Sequence, residues 1–244
     1  TDGGLSPSAL TLPAGVQLNV NLQPRFSRFG RYAILVNSPT RPLSIGPDGV
    51  VRVLTPTAPS AAVALSSGAA GTLTGTYLSR STFKLLDSLG NIISESDYSP
   101  LNPTPFALPN ARNLRATFSS SSDDVDATQL YRTTTGPGGV YFPWHQISGG
   151  LSTVYEDSLP DSGLGLFAGQ ELGSAPDLTL IAEFGGRAWG VERTQPDYLR
   201  YTTAGTMYGW YALNTLLIPR VGSDSAGITA LIPRRAALGV SRHN

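Results

Sequence analysis

The chain has 244 residues and contains no cysteine. Disulfide bonds, thiolate nucleophiles and cysteine-ligated zinc are therefore excluded for these residues by composition alone. The two histidines, His145 and His243, lie far apart, and neither has a carboxylate or a second histidine at the spacing of a metal site. We therefore predict that the protein binds no metal and no cofactor.

An excess of charge of one sign is also missing, because 17 basic residues balance 17 acidic residues. The summed charge gives no reason to expect binding to nucleic acid or to an anionic membrane. No apolar run approaches the roughly 20 residues of a membrane helix, and no signal-peptide pattern opens the chain. We expect a soluble protein without membrane insertion, whose partners are other proteins.

Lysine is nearly absent, since Lys84 is the only one in the chain. The preference for arginine is consistent with a GC-rich genome, and equally with the use of the forked guanidinium at protein contacts. The sequence leaves both explanations open.

Turn-forming residues are abundant, with 27 glycines and 19 prolines. Residues 46–49 read Gly-Pro-Asp-Gly, which predicts a turn that joins two strands in a hairpin. In residues 76–85, Tyr77, Phe83 and Leu85 share one face of a two-residue period, so we predict a half-buried strand with Phe83 on the buried face. Gly90 and the asparagine after it predict the turn that folds this strand back. The pattern indicates an all-β protein.

The spacing of the strands suggests three parts. Residues 1–71 contain short apolar clusters and end in an Ala, Ser, Thr, Pro and Gly-rich stretch at 56–71, which we interpret as a linker. Residues 72–162 carry short strands at the spacing of a sandwich of about seven strands, which we expect to fold alone. After a loop-rich join, residues 163–244 form a meander of short strands from Leu178 onward, which is typical of a propeller blade.

The middle part resembles a fibronectin type III-like domain of the kind common in bacteriophage structural proteins. The resemblance rests on five motifs in order, at residues 71–77, 87–91, 94–96, 128–133 and 153–157. It implies a β-sandwich at residues 72–162.

The flanking parts resemble blades of the β-propeller in tail nozzle and hub proteins of short-tailed phages, in which such a sandwich interrupts the propeller. The motifs are at residues 25–32, 184–190, 216–219 and 227–231. In that family further blades follow, whereas this sequence stops near the middle of an expected strand. The chain is then a portion of a longer polypeptide, or neighbouring subunits cover its open edges.

The resemblance implies a non-enzymatic structural protein of the virion, in the tail or connector region. We expect it to form a homo-oligomeric ring around the DNA exit channel, with other tail and connector proteins as partners and only passing contact with DNA. The alternative is a carbohydrate-binding or receptor-binding module of a tail fibre.

Five residues are the candidate interface. Three lie in the densest aromatic tract of the chain and two near its end: Tyr208, Trp210, Tyr211, Arg234 and Arg235. Tyr and Trp offer large contact area at low entropic cost, so the tract predicts core packing, a protein interface or a sugar-binding platform.

Two sets of carboxylates are candidates for catalysis or metal binding. Glu183 and Glu192 suggest a polysaccharide-degrading enzyme only weakly, because carboxylates in β-strands are ordinary. Asp123, Asp124 and Asp126 fail the spacing of a calcium loop, and a solvated loop between strands explains them better. We predict no catalytic residue.

Overall fold

In a computed structural model, the described residues are 10–37, 41–136, 138–151, 153–165, 173–219, 227–234 and 237–241. The protein is all-β, as the sequence predicts, and its only helical element in this part of the chain is a single 3₁₀ turn at Asp161–Gly163. The strands are β1 (Arg25–Phe29), β2 (Tyr32–Val36), β3 (Leu43–Ile45), β4 (Val51–Val53), β5 (Ala64–Tyr77), β6 (Ser79–Leu86), β7 (Ile92–Glu95), β8 (Phe106–Thr117), β9 (Ala127–Arg132), β10 (Phe142–Ser148), β11 (Val154–Asp157), β12 (Leu178–Phe184), β13 (Arg187–Glu192), β14 (Tyr198–Tyr201), β15 (Thr215–Leu217), β16 (Ala230–Arg234) and β17 (Ala237–Ser241).

The chain divides into two compact units. Unit 1 is formed by Thr1–Leu54, Pro176–Tyr201 and Thr215–Asn244. Unit 2 is formed by Thr55–Ala175 and Thr202–Asn214. Unit 1 is therefore built from chain segments that come before and after the main body of unit 2.

Unit 1 contains two four-stranded antiparallel sheets in which every strand pairs with the next one along the chain, in the orders β1-β2-β3-β4 and β12-β13-β14-β15. Short turns join β1 to β2, β3 to β4 and β12 to β13, whereas residues 202–214 of unit 2 lie between β14 and β15. Between β3 and β4, Gly49 has φ of 77° and its amide donates to the Gly46 carbonyl at 3.0 Å, so the predicted hairpin turn is confirmed. A third sheet is the pair β16-β17.

The three sheets of unit 1 meet along their first strands. β12 contacts β1 and β2 of the first sheet and β16 of the third. Apolar side chains fill the space beside β12, where Val191 and Leu199 form a buried cluster with Ile228. Within the described residues none of the sheets closes into a barrel.

Unit 2 contains two antiparallel sheets, in the orders β10-β9-β6-β7 and β11-β8-β5. Side chains from both sheets share one core, in which Ala116 of β8 and Leu130 of β9 are fully buried with Phe118. Phe83 is 1% exposed, so its predicted burial is confirmed. Gly90 adopts φ of 80° in the turn between β6 and β7, as the sequence predicts.

Two features of unit 2 differ from the sequence analysis. Residues 64–71, which fall in the expected linker, form the first half of the long strand β5 and pair with β8. Strand β6 is buried on both faces, including Thr82 and Lys84, whereas alternation predicts a half-buried strand. The second difference matters for function, because it places polar side chains inside the unit.

Candidate functional site

The structure brings three of the five candidate interface residues together. Tyr208, Trp210 and Tyr211 lie on the segment 202–214 of unit 2, whereas Arg234 ends β16 in unit 1. Arg235, like His243, lies outside the described residues. Trp210 is only 4% exposed and Tyr211 is 41% exposed, so Tyr211 offers the larger part of this aromatic surface.

The segment 202–214 is held by its buried tryptophan. The Trp210 indole donates to the Met207 carbonyl at 3.3 Å, and its backbone amide donates to the Gly173 carbonyl at 3.1 Å. A Cβ atom at Gly173 would lie 2.4 Å from the Trp210 carbonyl group, so only glycine allows this close approach. Trp210 therefore serves as an anchor for the segment.

Tyr208 of the same segment is influenced by a charge on β7, in the four-stranded sheet of unit 2. The pKa of Tyr208 is raised above its ordinary value by burial and, to a smaller degree, by the negative charge of Glu95. Sequence reasoning missed this neighbourhood, since Glu95 is more than one hundred residues earlier in the chain.

Five polar side chains form what we call the buried polar cluster. Each is at most 6% exposed, and they come from three neighbouring strands: Thr82 and Lys84 of β6, Glu95 of β7, and Gln129 and Tyr131 of β9. Glu95 Oε1 accepts hydrogen bonds from the Thr82 hydroxyl at 2.5 Å and the Tyr131 hydroxyl at 2.6 Å. Lys84 Nζ donates to Gln129 Oε1 at 2.9 Å. The cluster thus contains one basic and one acidic group inside the unit.

Burial perturbs the titration of this region. It lowers the pKa of Lys84, an effect that the negative charge of Glu95 opposes. It raises the pKa of the neighbouring Tyr98 to about 12, and Glu95 adds to that shift while Arg80 opposes it. The Arg80 guanidinium lies 5.5 Å from the centre of the Tyr98 ring. Perturbed groups of this kind often mark functional sites.

A second buried charge links the two sheets of unit 2. Arg132 of β9 is fully buried and forms ion pairs with Asp157 of β11 and with Asp161, the latter at 2.5 Å. Its Nη2 donates to the Leu159 carbonyl at 2.6 Å. The guanidinium carbon lies over the ring of Tyr77, 5.3 Å from the ring centre. Burial raises the pKa of Asp157, which Arg132 opposes. Because all three guanidinium nitrogens of Arg132 donate to protein acceptors, we interpret this network as structural.

His145 stacks against an aromatic ring. Its imidazole lies 3.7 Å from the centre of the Tyr155 ring, with 18° between the ring planes. Burial lowers the pKa of His145 below its ordinary value of 6.5, although Asp157 acts in the opposite direction. This environment favours the neutral imidazole.

We expect the stability of the protein to depend on pH through His145. Since its folded-state pKa is lowered, neutral His145 contributes stability above pH 6.5, and this contribution is lost as pH falls below that value. His145→Phe keeps the stack and removes the titration. Urea unfolding at about pH 7.5 and pH 5.5 should show the wild type losing more stability than the variant at the lower pH. An identical loss in both proteins would contradict the lowered pKa, because His243 is common to both.

The carboxylates that are candidates for catalysis or metal binding form hydrogen bonds or ion pairs with other residues of the protein. Glu183 Oε1 accepts a hydrogen bond from the Gly186 amide at 3.0 Å in the turn after β12, and Glu192 pairs with Arg200 at 2.9 Å. Asp123 accepts from the Thr57 amide at 2.7 Å, and Asp126 accepts from the Leu86 amide at 2.8 Å. Among the described residues, no group of three His, Asp or Glu side chains is arranged to hold a metal ion.

Unit 1 has a cleft of about 480 Å³ beside its first strands. Its walls combine apolar side chains, such as Val36, Leu178 and Ile228, with Arg25 and Arg193. The volume falls in the range of small-molecule sites. No helix in the described part of the chain is both long and apolar enough to span a membrane.

Comparison of the chain with protein-family models, with curated proteins and with solved structures finds no match.

Proposed function

We propose that this protein is a structural component of a bacteriophage tail, of the nozzle or hub type, and that it assembles into a homo-oligomeric ring around the DNA exit channel. One observation carries the proposal: unit 1 consists of successive meander sheets, built from chain on both sides of unit 2, whose first strands lie side by side. This arrangement supports the resemblance described above, in which a sandwich interrupts a propeller.

The sheets of unit 1 have the properties expected of propeller blades. A blade is a four-stranded antiparallel sheet with strands in chain order, and its first strand lies nearest the central channel. Both four-stranded sheets have this order, and β12 contacts the first strands of the other two sheets. A propeller needs about four to eight blades, so two sheets and one strand pair would be completed by further chain or by neighbouring subunits.

The strand order of unit 2 supports a fibronectin type III-like sandwich. In sandwiches of this class one sheet has the order G-F-C, and the other places strand E between strands B and D. The orders β10-β9-β6 and β11-β8-β5 correspond to these two sheets, and β7 extends the first beside β6. Two features depart from this class. No described strand occupies the place of strand A, and β11, which occupies the place of strand D, is the last strand of unit 2 in chain order.

The charge of the chain is consistent with a channel that DNA passes through. A protein that neutralises phosphates holds DNA with a strong dependence on salt. With 17 basic and 17 acidic residues, this chain carries no net charge to hold DNA in that way. A neutral ring would guide the duplex without retaining it.

We expect the purified chain to assemble into closed rings at micromolar concentration. Light scattering after size exclusion should give a mass that is a multiple of 25.7 kDa, and negative-stain images should show a ring with a central opening. The contact should involve the apolar strands β16 and β17, where Ile232 is exposed. Ile232→Asp is then expected to reduce assembly, and Leu89→Asp, in the exposed turn after β6, is the matched control.

Three results would count against the proposal. A stable monomer near 25.7 kDa would exclude assembly by this chain, and open filaments would exclude a closed ring. Specific binding to a bacterial polysaccharide on a glycan array, reduced by Tyr211→Ala, would favour the tail-fibre alternative.

A further inference from the structure

The only lysine of the chain is buried against a carboxamide. Lys84 Nζ lies 2.9 Å from Gln129 Oε1, the oxygen bonded to the carbonyl carbon of that side chain. The backbone explains the approach, because β6 and β9 are paired neighbours in which Thr82 lies opposite Gln129. Alternate residues of a strand share a face, and Lys84 therefore lies diagonally across from Gln129 on the same side of the sheet.

The carboxamide of Gln129 is fixed in one orientation. Its Nε2 donates to the His145 carbonyl at 2.8 Å and to the Leu130 carbonyl at 3.1 Å, while its Oε1 accepts from Lys84. Two carbonyl acceptors on one side and an ammonium donor on the other identify which atom is nitrogen. A fixed acceptor next to a fixed nucleophile removes much of the entropic barrier to a reaction between them.

Glu95 supplies a proton acceptor next to this pair. It lies opposite Lys84 in the pairing of β6 with β7, and it is 1% exposed. Hydrogen bonds from the Thr82 and Tyr131 hydroxyls orient its carboxylate. Burial lowers the pKa of Lys84, which favours loss of a proton from its ammonium. The neutral amine is the nucleophilic form of lysine.

We propose that Lys84 and Gln129 form an intramolecular amide cross-link between β6 and β9, with Glu95 as the group that transfers protons. This inference does not depend on the proposed function, since it rests on the buried polar cluster alone. It makes Lys84, Gln129 and Glu95 an autocatalytic modification site whose substrate is the protein itself.

The reaction is balanced without any oxidant or co-reactant. The Lys84 ammonium gives a proton to Glu95, and the neutral Nζ attacks Cδ of Gln129 to form a carbon–nitrogen bond. Glu95 returns its proton to Nε2 as the Cδ–Nε2 bond breaks, and it accepts the second proton that Nζ loses. Ammonia leaves and takes up that proton. The net change converts a lysine ammonium and a carboxamide into a secondary amide and one ammonium ion.

Intact-mass spectrometry of the full chain under denaturing conditions tests the proposal directly. The expected mass is lower than the mass of the sequence by one ammonia. Because arginines bound the two segments, trypsin should release residues 81–112 joined to residues 116–132, without cleavage after Lys84. A wild-type protein that is folded, shows the full sequence mass and yields residues 81–84, 85–112 and 116–132 as separate peptides would overturn the proposal.

Two variants separate this cross-link from other losses of ammonia. Lys84→Arg keeps the positive charge but lacks a nucleophilic amine, since guanidinium does not deprotonate in proteins. Glu95→Gln keeps an acceptor for the Thr82 and Tyr131 hydroxyls but cannot transfer the proton. Both variants should have their full sequence mass. A deficit of one ammonia that persists in Lys84→Arg would place the loss at another residue and overturn the assignment.

Discussion

Phe83→Ala is expected to lower the free energy of unfolding by about 3–5 kcal/mol. Phe83 lies in the middle of β6 and is 1% exposed, so removal of its ring leaves a cavity that neighbouring strands cannot fill. The hydrogen bond from its backbone amide to the Ser96 hydroxyl at 2.9 Å does not involve the ring, so the loss comes from the side chain alone. This loss is a large part of the stability of an ordinary domain, so unit 2 should be largely unfolded at 37 °C.

Urea unfolding followed by tryptophan fluorescence measures the effect of Phe83→Ala. Leu89→Ala is the matched control, because Leu89 is an apolar residue in the exposed turn after β6 and should change stability by no more than about 0.5 kcal/mol. A free energy of unfolding of Phe83→Ala within about 0.5 kcal/mol of the wild type would show that the register of β6 is wrong.

Asp157→Ala is expected to cost about 3–5 kcal/mol, because it leaves the Arg132 guanidinium buried without its principal counter-ion. The Arg132 side chain has no exposed surface, and its Nε donates to Asp157. Water cannot replace the lost carboxylate at this depth. The network also joins β9 to β11, so the variant should weaken the contact between the two sheets of unit 2.

Asp161→Ala is the control for this prediction. Asp161 contacts the same guanidinium, but its side chain is 28% exposed, so solvent can compensate for its loss and the cost should be about 1 kcal/mol. The double variant Arg132→Met with Asp157→Leu should recover part of the stability lost in Asp157→Ala, since it removes both buried charges. Equal losses for Asp157→Ala and Asp161→Ala would show that Arg132 does not depend on the buried partner.

Features governed by neighbouring residues were predictable from the sequence. The all-β class, the turns at Gly49 and Gly90 and the burial of Phe83 follow from turn chemistry and from the two-residue period of a strand. The meander of short strands after Leu178 follows in the same way, because β12 to β15 pair in chain order and β16 pairs with β17.

Features that depend on distant chain were not predictable. The first half of β5 is rich in alanine, serine and glycine, so its composition indicates a linker, and only pairing with β8 makes it a strand. The alternation predicts that the polar face of β6 is exposed to solvent, whereas in the structure Thr82 and Lys84 on this face are buried. The turn at Gly90 places β7, with Glu95, beside β6, but only pairing with the distant β9 brings Gln129 to the same face, and no local pattern contains that second contact.

The position of β12 also determines the order in which the protein can fold during synthesis. Sheet β1-β2-β3-β4 is complete once Val53 has left the ribosome, but β12, which contacts β1 and β2, begins at Leu178. Synthesis of the residues between them takes on the order of ten seconds, long compared with the formation of a hairpin. Most of unit 2 emerges in that interval. We therefore expect unit 2 to begin folding before β12 packs against the N-terminal sheet. During this interval the apolar residues of that sheet remain exposed and can bind chaperones.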